Sequence, residues 1–325
     1  MMLTLLLGLF MPVFSTDTAM VHDPVMAEEN GIYYLYSTGP HIQEMTSRDR
    51  KTWTLVRDGA LPDIPKWTHD SVPGFENHIW APDVIKWHNS WWMAYSCSTF
   101  GKNTSAIGLL KSASLVSNQW EDRGCLIDSK RHRDNWNAID PNFVIDNQDH
   151  PWLVFGSFWD GIQLIRLKEV NGTLTRDNTV VQTTIARRYG KNVPKDATNP
   201  TSKFAGTNAI EAPFIFKHNG WYYLFVSWDY CCRGVKSTYR VVVGRSKTIN
   251  GPYIDEKGRG MTDGGGTLII QGDKKEYEAA GHCAVYHFGD EDLFICHGYN
   301  IGFGGISTLI QKKIVWKSDG FPTLQ

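Results

Sequence analysis

Three carboxylates with similar surroundings stand far apart in this chain: Asp23 in His22-Asp23-Pro24, Asp140 in Ala138-Ile139-Asp140-Pro141-Asn142, and Glu211 in Ile210-Glu211-Ala212-Pro213-Phe214. Two acids flanking a glycosidic bond are the minimum for its hydrolysis, one protonating the departing oxygen and the other activating water or attacking the sugar. A third can hold the proton donor in place and raise its pKa through like charge. A single Asp or Glu beside proline more often caps a strand or a turn. Three at matching places ask for a common cause. Their registers differ slightly, since Asp23 and Asp140 directly precede proline while Glu211 stands two before it, so a local bulge or shift is expected.

The common cause is a repeat. Strand starts anchored on Pro24, Pro82, Pro141, Pro213 and Ala284 recur roughly every 60 to 70 residues. Each leads through an extended segment to a turn, such as Glu29-Asn30-Gly31 or His218-Asn219-Gly220. A strand of branched and aromatic residues follows, such as Ile32-Tyr33-Tyr34-Leu35-Tyr36 or Trp221-Tyr222-Tyr223-Leu224-Phe225. A third strand comes next in most copies, as in Ala106 to Lys111 and Tyr239 to Ser246, and outer strands are expected to carry Trp53, Trp120 and Tyr253. No stretch sustains a capped 3.6-residue apolar period, so helices should be few and short.

The pattern predicts an all-β chain folded as a five-bladed β-propeller with four antiparallel strands per blade. A β-sandwich leaves the five-fold recurrence unexplained, and a parallel β-helix needs a much shorter period. In a propeller the innermost strands line a central channel, so equivalent strand starts meet at one mouth. Acids at 23, 140 and 211 then share one pocket. The fifth start, Gly281-His282-Cys283, puts an imidazole near the same axis, either as a buried, hydrogen-bonded histidine or as an ion ligand. Asp83, in Trp80-Ala81-Pro82-Asp83, falls on the far side of its proline. Strand alternation should turn it away from the pocket, so it is set aside from catalysis.

Composition bounds the partner. The chain has 325 residues, 42% of them hydrophobic, and no linker-like stretch, so residues 20–325 are expected to form one domain. A formal net charge of −1 gives no electrostatic footprint for nucleic acid or an anionic membrane, which points to an uncharged partner. Several Trp lie beside turns, as in Asn135-Trp136-Asn137 and Ser157-Phe158-Trp159, where flat apolar faces suit sugar rings as well as sheet packing. Leu3 to Phe14 is almost free of polar side chains and is followed by Ser15 and Ala19, which reads as a signal peptide over residues 1–19 and a secreted or periplasmic protein. The segment is shorter than the ~20 apolar residues that span a bilayer. It lacks the usual positive start, because no Lys or Arg precedes Arg48. The cysteines show no Cys-x-x-Cys spacing, which argues against structural zinc, and Cys231-Cys232 is either a vicinal disulfide or two thiols in a turn.

Further segments complete the set: Leu35-Tyr36-Ser37-Thr38-Gly39, Ile79-Trp80-Ala81-Pro82-Asp83, Ser98-Thr99-Phe100-Gly101-Lys102-Asn103, Trp136-Asn137-Ala138-Ile139-Asp140-Pro141, Phe155-Gly156-Ser157-Phe158-Trp159, Cys231-Cys232-Arg233, Val243-Gly244-Arg245-Ser246, Gly264-Gly265-Gly266-Thr267 and Gly281-His282. Together with the acid motifs they resemble glycoside hydrolase family 43, and within it the α-1,5-L-arabinanases, from Val21 to the end. The resemblance implies an inverting hydrolase with Asp23 as general base, Glu211 as general acid and Asp140 as the residue that orients the acid and tunes its pKa. It implies sugar subsites lined by Asp23, Trp80, Phe100, Gly101, Asn137, Ala138, Ile139, Asp140, Ser157, Phe158 and Trp159, with Trp80 and Phe100 as stacking platforms. It also implies a mostly hydrated calcium ion (Ca2+) on His282, which tunes the centre and does not activate the nucleophile. The expected activity is that of a monomeric endo-arabinanase on linear α-1,5-L-arabinan, with attack near chain ends left open because it depends on loops at the groove ends. An exo-acting α-L-arabinofuranosidase or β-xylosidase on the same fold, and a non-catalytic arabinan-binding propeller, are the alternatives.

Overall fold

The structure, a computed structural model, describes residues 11–190 and 192–325. Strands dominate it, and among the described residues the helical elements are one α-helix, Trp67–Ser71, and three single-turn 3-10 segments. Five antiparallel sheets follow one another along the chain as the blades of a β-propeller. Their innermost strands are Val25–Glu29, His78–Trp87, Asn142–Ile145, Ile210–His218 and Tyr277–Phe288.

The blades depart from a uniform set of four strands. Blade one gains Val13–Ser15 on the outside of Thr52–Val56, and blade two gains Gly39–Pro40 against the start of its innermost strand. Blade three splits its outer strand into Thr173–Arg176 and Thr183–Ala186, both paired with Ile162–Val170. Blade four corrects one expectation: its outer strand is Thr267–Gln271, and Tyr253 lies in the connection before it. Tyr253 is buried there because its ring fills the space under that connection, while its hydroxyl donates to Ile249 O at 2.6 Å. Trp53 does lie in an outer strand, and Trp120 directly precedes one, Glu121–Ser129.

Ring closure uses the first residues of blade one. Val21 N–H donates to Ser307 O at 3.2 Å and Leu309 N–H to Ala19 O at 3.0 Å, joining this segment to blade five. Of the expected leader, residues 1–10 lie outside the described residues; Val13–Ser15 pair with Thr52–Thr54, and Ala19 is buried. Trp53, Trp92, Tyr36, Phe155, Phe225 and Phe294 are buried between and within the blades. Truncating an aromatic of this kind to alanine costs about 3–5 kcal/mol.

One feature of the innermost strands positions everything at the mouth. At one equivalent position near the mouth end of each innermost strand, a non-glycine residue has left-handed backbone: Asp23 (φ 55°) and Asp140 (57°), two residues before their strands, and Ala81 (41°), Ala212 (53°) and His282 (51°), inside theirs. In blades two, four and five the pairing register slips at the same place, as in a β-bulge. Such a conformation costs on the order of 1–3 kcal/mol in a non-glycine residue and persists only where its surroundings fix it.

The fixing groups come from the neighbouring blade each time. Ala81 N–H donates to Thr38 Oγ1 (2.8 Å), Asp140 N–H to Ser96 Oγ (3.0 Å) and Ala212 N–H to Asp140 Oδ2 (3.1 Å). His282 N–H donates to Ser227 Oγ (2.8 Å) and Asp23 N–H to His297 Nδ1 (3.0 Å), which completes the circle. The ring also explains the registers of the acids: Asp23, Asp140 and His282 occupy the left-handed position, whereas in blade four Ala212 does and Glu211 precedes it. Ser96→Ala removes one acceptor and leaves a buried N–H unpaired, so urea unfolding should lose about 1–3 kcal/mol with an unchanged slope. No loss of stability would mean that the ring does not hold the left-handed residues.

Candidate active site

The five strand starts surround a cleft of about 470 Å³ at one mouth of the channel, within the range of small-molecule sites. Asp23, Asp140, Glu211 and His282 are all buried and all line it.

Asp23 is surrounded by donors. Its Oδ1 lies 2.8 Å from His282 Nδ1, and its Oδ2 lies 2.9 Å from His22 Nδ1 and accepts from Thr38 Oγ1 at 2.5 Å. Burial alone would raise this carboxyl, but the imidazoles of His22 and His282 outweigh it through charge and hydrogen bonding and hold it well below 3.8. The reciprocal effect on His282 overcomes burial and pushes it up to about 9.

Hydrogen-bond partners assign the protons of the surrounding rings. His297 Nδ1 accepts from Asp23 N–H, so its proton is on Nε2 and is directed to Tyr299 Oη at 3.3 Å. Burial holds His297 well below 6.5, in keeping with a neutral ring. Cys232 N–H also donates to Tyr299 Oη, at 2.7 Å. The Tyr299 hydroxyl also lies 3.0 Å from His22 Nε2, and the other nitrogen of that ring, Nδ1, faces Asp23 Oδ2. Cys231 and Cys232 form a disulfide between adjacent residues, which decides between the two sequence readings, and both line the cleft.

The other two acids face no comparable set of cations. Burial pushes Asp140 up to about 8 against the charge of His282, with the charges of Glu211 and Asp23 adding to the rise and the Ala212 N–H on its Oδ2 opposing it. Burial raises Glu211 as well, against the hydrogen bond it accepts from Ser157 Oγ at 2.8 Å. Near neutral pH the arrangement keeps Asp23 ionised while the Asp140–Glu211 pair retains a proton. One cleft thus presents a base and an acid, and the difference comes from which blades supply imidazoles.

The expected subsite residues Trp80, Phe100, Gly101, Asn137, Ile139, Ser157, Phe158 and Trp159 all border the cleft. Phe100 is 57% exposed, as a stacking platform requires. Ala138 is not brought to the cleft. Asn137 and Ile139 on either side face it, whereas Ala138 is fully buried among blades two and three with its N–H donating to Ser129 Oγ at 2.9 Å. Four participants went unassigned in the sequence reading: His22, Thr38, His297 and Tyr299. His22 stands inside a motif already singled out, and Ser96, Ser227 and His297 share one polar position on otherwise apolar second strands.

For a metal, His282 offers one nitrogen, because its Nδ1 is engaged with Asp23 and its Nε2 has no protein partner among the described residues. His22, Asp23 and His297 also bring ligand atoms within 4.8 Å of one another. The ring nitrogens nearest Asp23 are already used in hydrogen bonds, so this group reads as a hydrogen-bonded network.

The chain resembles known proteins over most of its length. The sequence profile of glycosyl hydrolases family 43 matches residues 12–322. The extracellular exo-α-(1→5)-L-arabinofuranosidase ArbA of Cellvibrio japonicus is 40% identical over 306 residues, covering 93% of this chain and 85% of that protein. The extracellular endo-α-(1→5)-L-arabinanase 1 of Bacillus subtilis is 36% identical over 314 residues, covering 95% and 89%. Among solved structures, an exo-1,5-α-L-arabinanase from a bovine ruminal metagenomic library superposes with a TM-score of 0.87 at 46% identity, covering 96% of this chain and 99% of that one. No helix among the described residues is long and apolar enough to cross a membrane.

Asp83 sits below the cleft as a tie between blades, accepting from Phe143 N–H at 2.6 Å and Asn142 Nδ2 at 3.2 Å. Burial pushes it up to about 7. The folded protein therefore keeps this proton to about pH 7, whereas the unfolded chain releases it near 3.8, so its contribution to stability falls as pH rises between those values. Asp83→Asn keeps an acceptor and removes the charge. Its thermal midpoint relative to wild type should rise from pH 4 to pH 7 and level off above; a difference independent of pH would rule out the raised carboxyl.

Proposed function

The chain belongs to glycosyl hydrolases family 43, and from that premise we propose that it hydrolyses α-1,5-L-arabinofuranosidic bonds of linear arabinan with inversion at the anomeric carbon. The observation that carries the reading is the split in protonation: Asp23 is held ionised by imidazoles while Asp140 and Glu211 together retain a proton. Family membership supports glycoside hydrolysis, and the two relatives named above, one an exo-arabinofuranosidase and one an endo-arabinanase, support the α-1,5-arabinan linkage.

In this mechanism Glu211 gives its proton to the departing sugar oxygen, and Ser157 keeps its carboxyl aimed. Asp140 grips Ala212 N–H, the peptide directly after Glu211, so it orients the acid and discourages its ionisation through like charge. Asp23 takes a proton from a water that attacks the opposite face, which requires a gap of roughly 6.5–9.5 Å between base and acid. His22, His282 and Thr38 fix both oxygens of Asp23. Trp80 and Phe100 offer flat faces to neighbouring sugars, and the chain's net charge of −1 suits an uncharged polymer. A non-catalytic binding propeller would have no use for paired, oppositely tuned carboxyls.

His282 Nε2 is the atom that would hold calcium, in exchange for the proton it otherwise carries, with waters supplying most of the six to eight oxygens this ion takes. The three carboxyls nearby favour a cation there, and the ion would add positive potential to the centre. The apolar N-terminus and the extracellular names of the two relatives support export, and the enzyme is taken to act as a monomer.

Asp23→Ala and Glu211→Ala should each lower kcat on linear arabinan by about 10²- to 10⁴-fold, measured as reducing-sugar release. Proton NMR of the first product should show the inverted anomer; a retained anomer would mean that an acid acts as nucleophile. Activity should fall on the acid side as Asp23 takes up a proton and on the alkaline side as the Asp140–Glu211 pair loses its own. Chelation should slow the wild type and leave His282→Ala unaffected, and equal sensitivity of both would remove His282 as ligand.

A further inference from the structure

The rim of the cleft differs from one side to the other. The connection from blade three to blade four, residues 192–209, does not run directly between these neighbours. Ser202 Oγ donates to Gly101 O of blade two at 3.1 Å, so the segment passes across the mouth in front of blade three. Gly101 permits the approach, because it has left-handed backbone and a Cβ there would stand 2.8 Å from Ser202 Oγ. The segment is seated on blade three: Asn208 Nδ2 donates to Trp159 O at 2.8 Å, and Ala205 and Ala209 pack on Phe158.

The wall continues past blade three. Tyr230 Oη, from the loop after Trp221–Trp228 of blade four, donates to Thr198 O at 2.6 Å. The adjoining Cys231–Cys232 disulfide carries the wall on to Tyr299 of blade five through Cys232 N–H, and from there to His22 of blade one. Loop-borne ties thus run along the rim from blade two across three and four to blades five and one. Blades one and two are joined at the strand starts themselves, by Gly39–Pro40 on His78 and Ile79 and by Ala81 N–H on Thr38 Oγ1, and above these bonds His78 is exposed and Trp80 half-buried.

An enzyme that cuts inside a polymer needs a groove running past its centre on both sides. We propose that this cleft is a dead end, with the 192–209 segment and the Cys231–Cys232 loop as its back wall. One end of an arabinan chain enters between blades one and two and stops at the wall, and the enzyme releases a short oligomer of uniform length. This rests on the reading of the cleft as an α-1,5-arabinan hydrolase. Ser202 and Tyr230 are its specificity-determining residues, because their two bonds hold the wall to blades two and four.

The test is a time course on linear α-1,5-arabinan that follows product sizes, reducing ends and viscosity together, for the wild type and for the double variant Ser202→Ala/Tyr230→Phe. The wild type should yield one short oligomer from the earliest times, with little loss of viscosity. In the double variant the viscosity loss per bond cut should rise several-fold and a spread of lengths should appear. A broad range of lengths from the first turnovers of the wild type would overturn the proposal. So would an unchanged single product from a double variant whose thermal midpoint matches wild type; were that variant unfolded, the wild-type profile alone would decide. If the wild type releases no sugar, the arabinan reading falls and the dead end with it, an outcome distinct from random shortening.

Discussion

Five backbone N–H groups, one from each left-handed residue at the mouth, are each held by a side chain of the neighbouring blade. Left to itself, each of these conformations is unfavourable for a residue with a Cβ. An N–H pointing out of a bulge and buried without a partner would add further cost. A single ring of acceptors answers both problems and at the same time ties every blade to the next. The acceptors are chemically mixed: two serines, a threonine, a carboxylate and an imidazole. What they share is reach to one place, and that place fixes where the next blade's first side chain points.

The ring therefore separates position from identity. Asp23, Asp140 and His282 occupy equivalent positions, yet their charge states diverge because of what the adjacent blades supply. Blades five and one bring imidazoles to Asp23, so that burial loses to charge. In blade three the residue directly after the second strand, Gly156, has no side chain to offer, and Asp140 itself takes the Ala212 N–H. That substitution couples Asp140 to the peptide after Glu211. The same constraint that closes the propeller thus brings Asp140 against the peptide that follows Glu211, across a blade boundary.

Much of this was legible in the sequence, and the remainder failed for identifiable reasons. The repeat, the five strand starts and the convergence of residues 23, 140 and 211 follow from turn signals and strand-forming runs, which are local. The one-residue offset of Glu211 signalled a bulge in blade four but not that every blade has a left-handed residue at this place, since positive φ at alanine, aspartate or histidine leaves no mark in composition. Ala138 was placed in the cleft because it belongs to a motif whose other members are there; alternation sends it into the core. Tyr253 misled for a similar reason, because an aromatic at the expected spacing packs under a connection as readily as in a strand. His297 is separated from Asp23 by 274 residues, and only closure of the ring reveals their contact.

The buried carboxyls and the rim of the cleft belong to different parts of the molecule. The acids and imidazoles sit on or beside innermost strands, where each backbone position is fixed by pairing along the blade and by a tie across it. The cleft wall is built from connections, which are free to lengthen without disturbing any blade. Residues 192–209 and the loop bearing Cys231–Cys232 touch the catalytic ring only at its rim, through Ser202, Tyr230 and Tyr299. Tyr299 is the point where the two systems meet, since its hydroxyl takes the Cys232 N–H and faces both His22 and His297. A change in the wall that spares this hydroxyl can alter which bonds reach Asp23, whereas one that moves it alters the hydrogen bonding of Asp23 itself. Cut pattern can therefore vary on this fold while the acid–base machinery stays fixed, and it is the connections, not the motifs, that must be read to assign it.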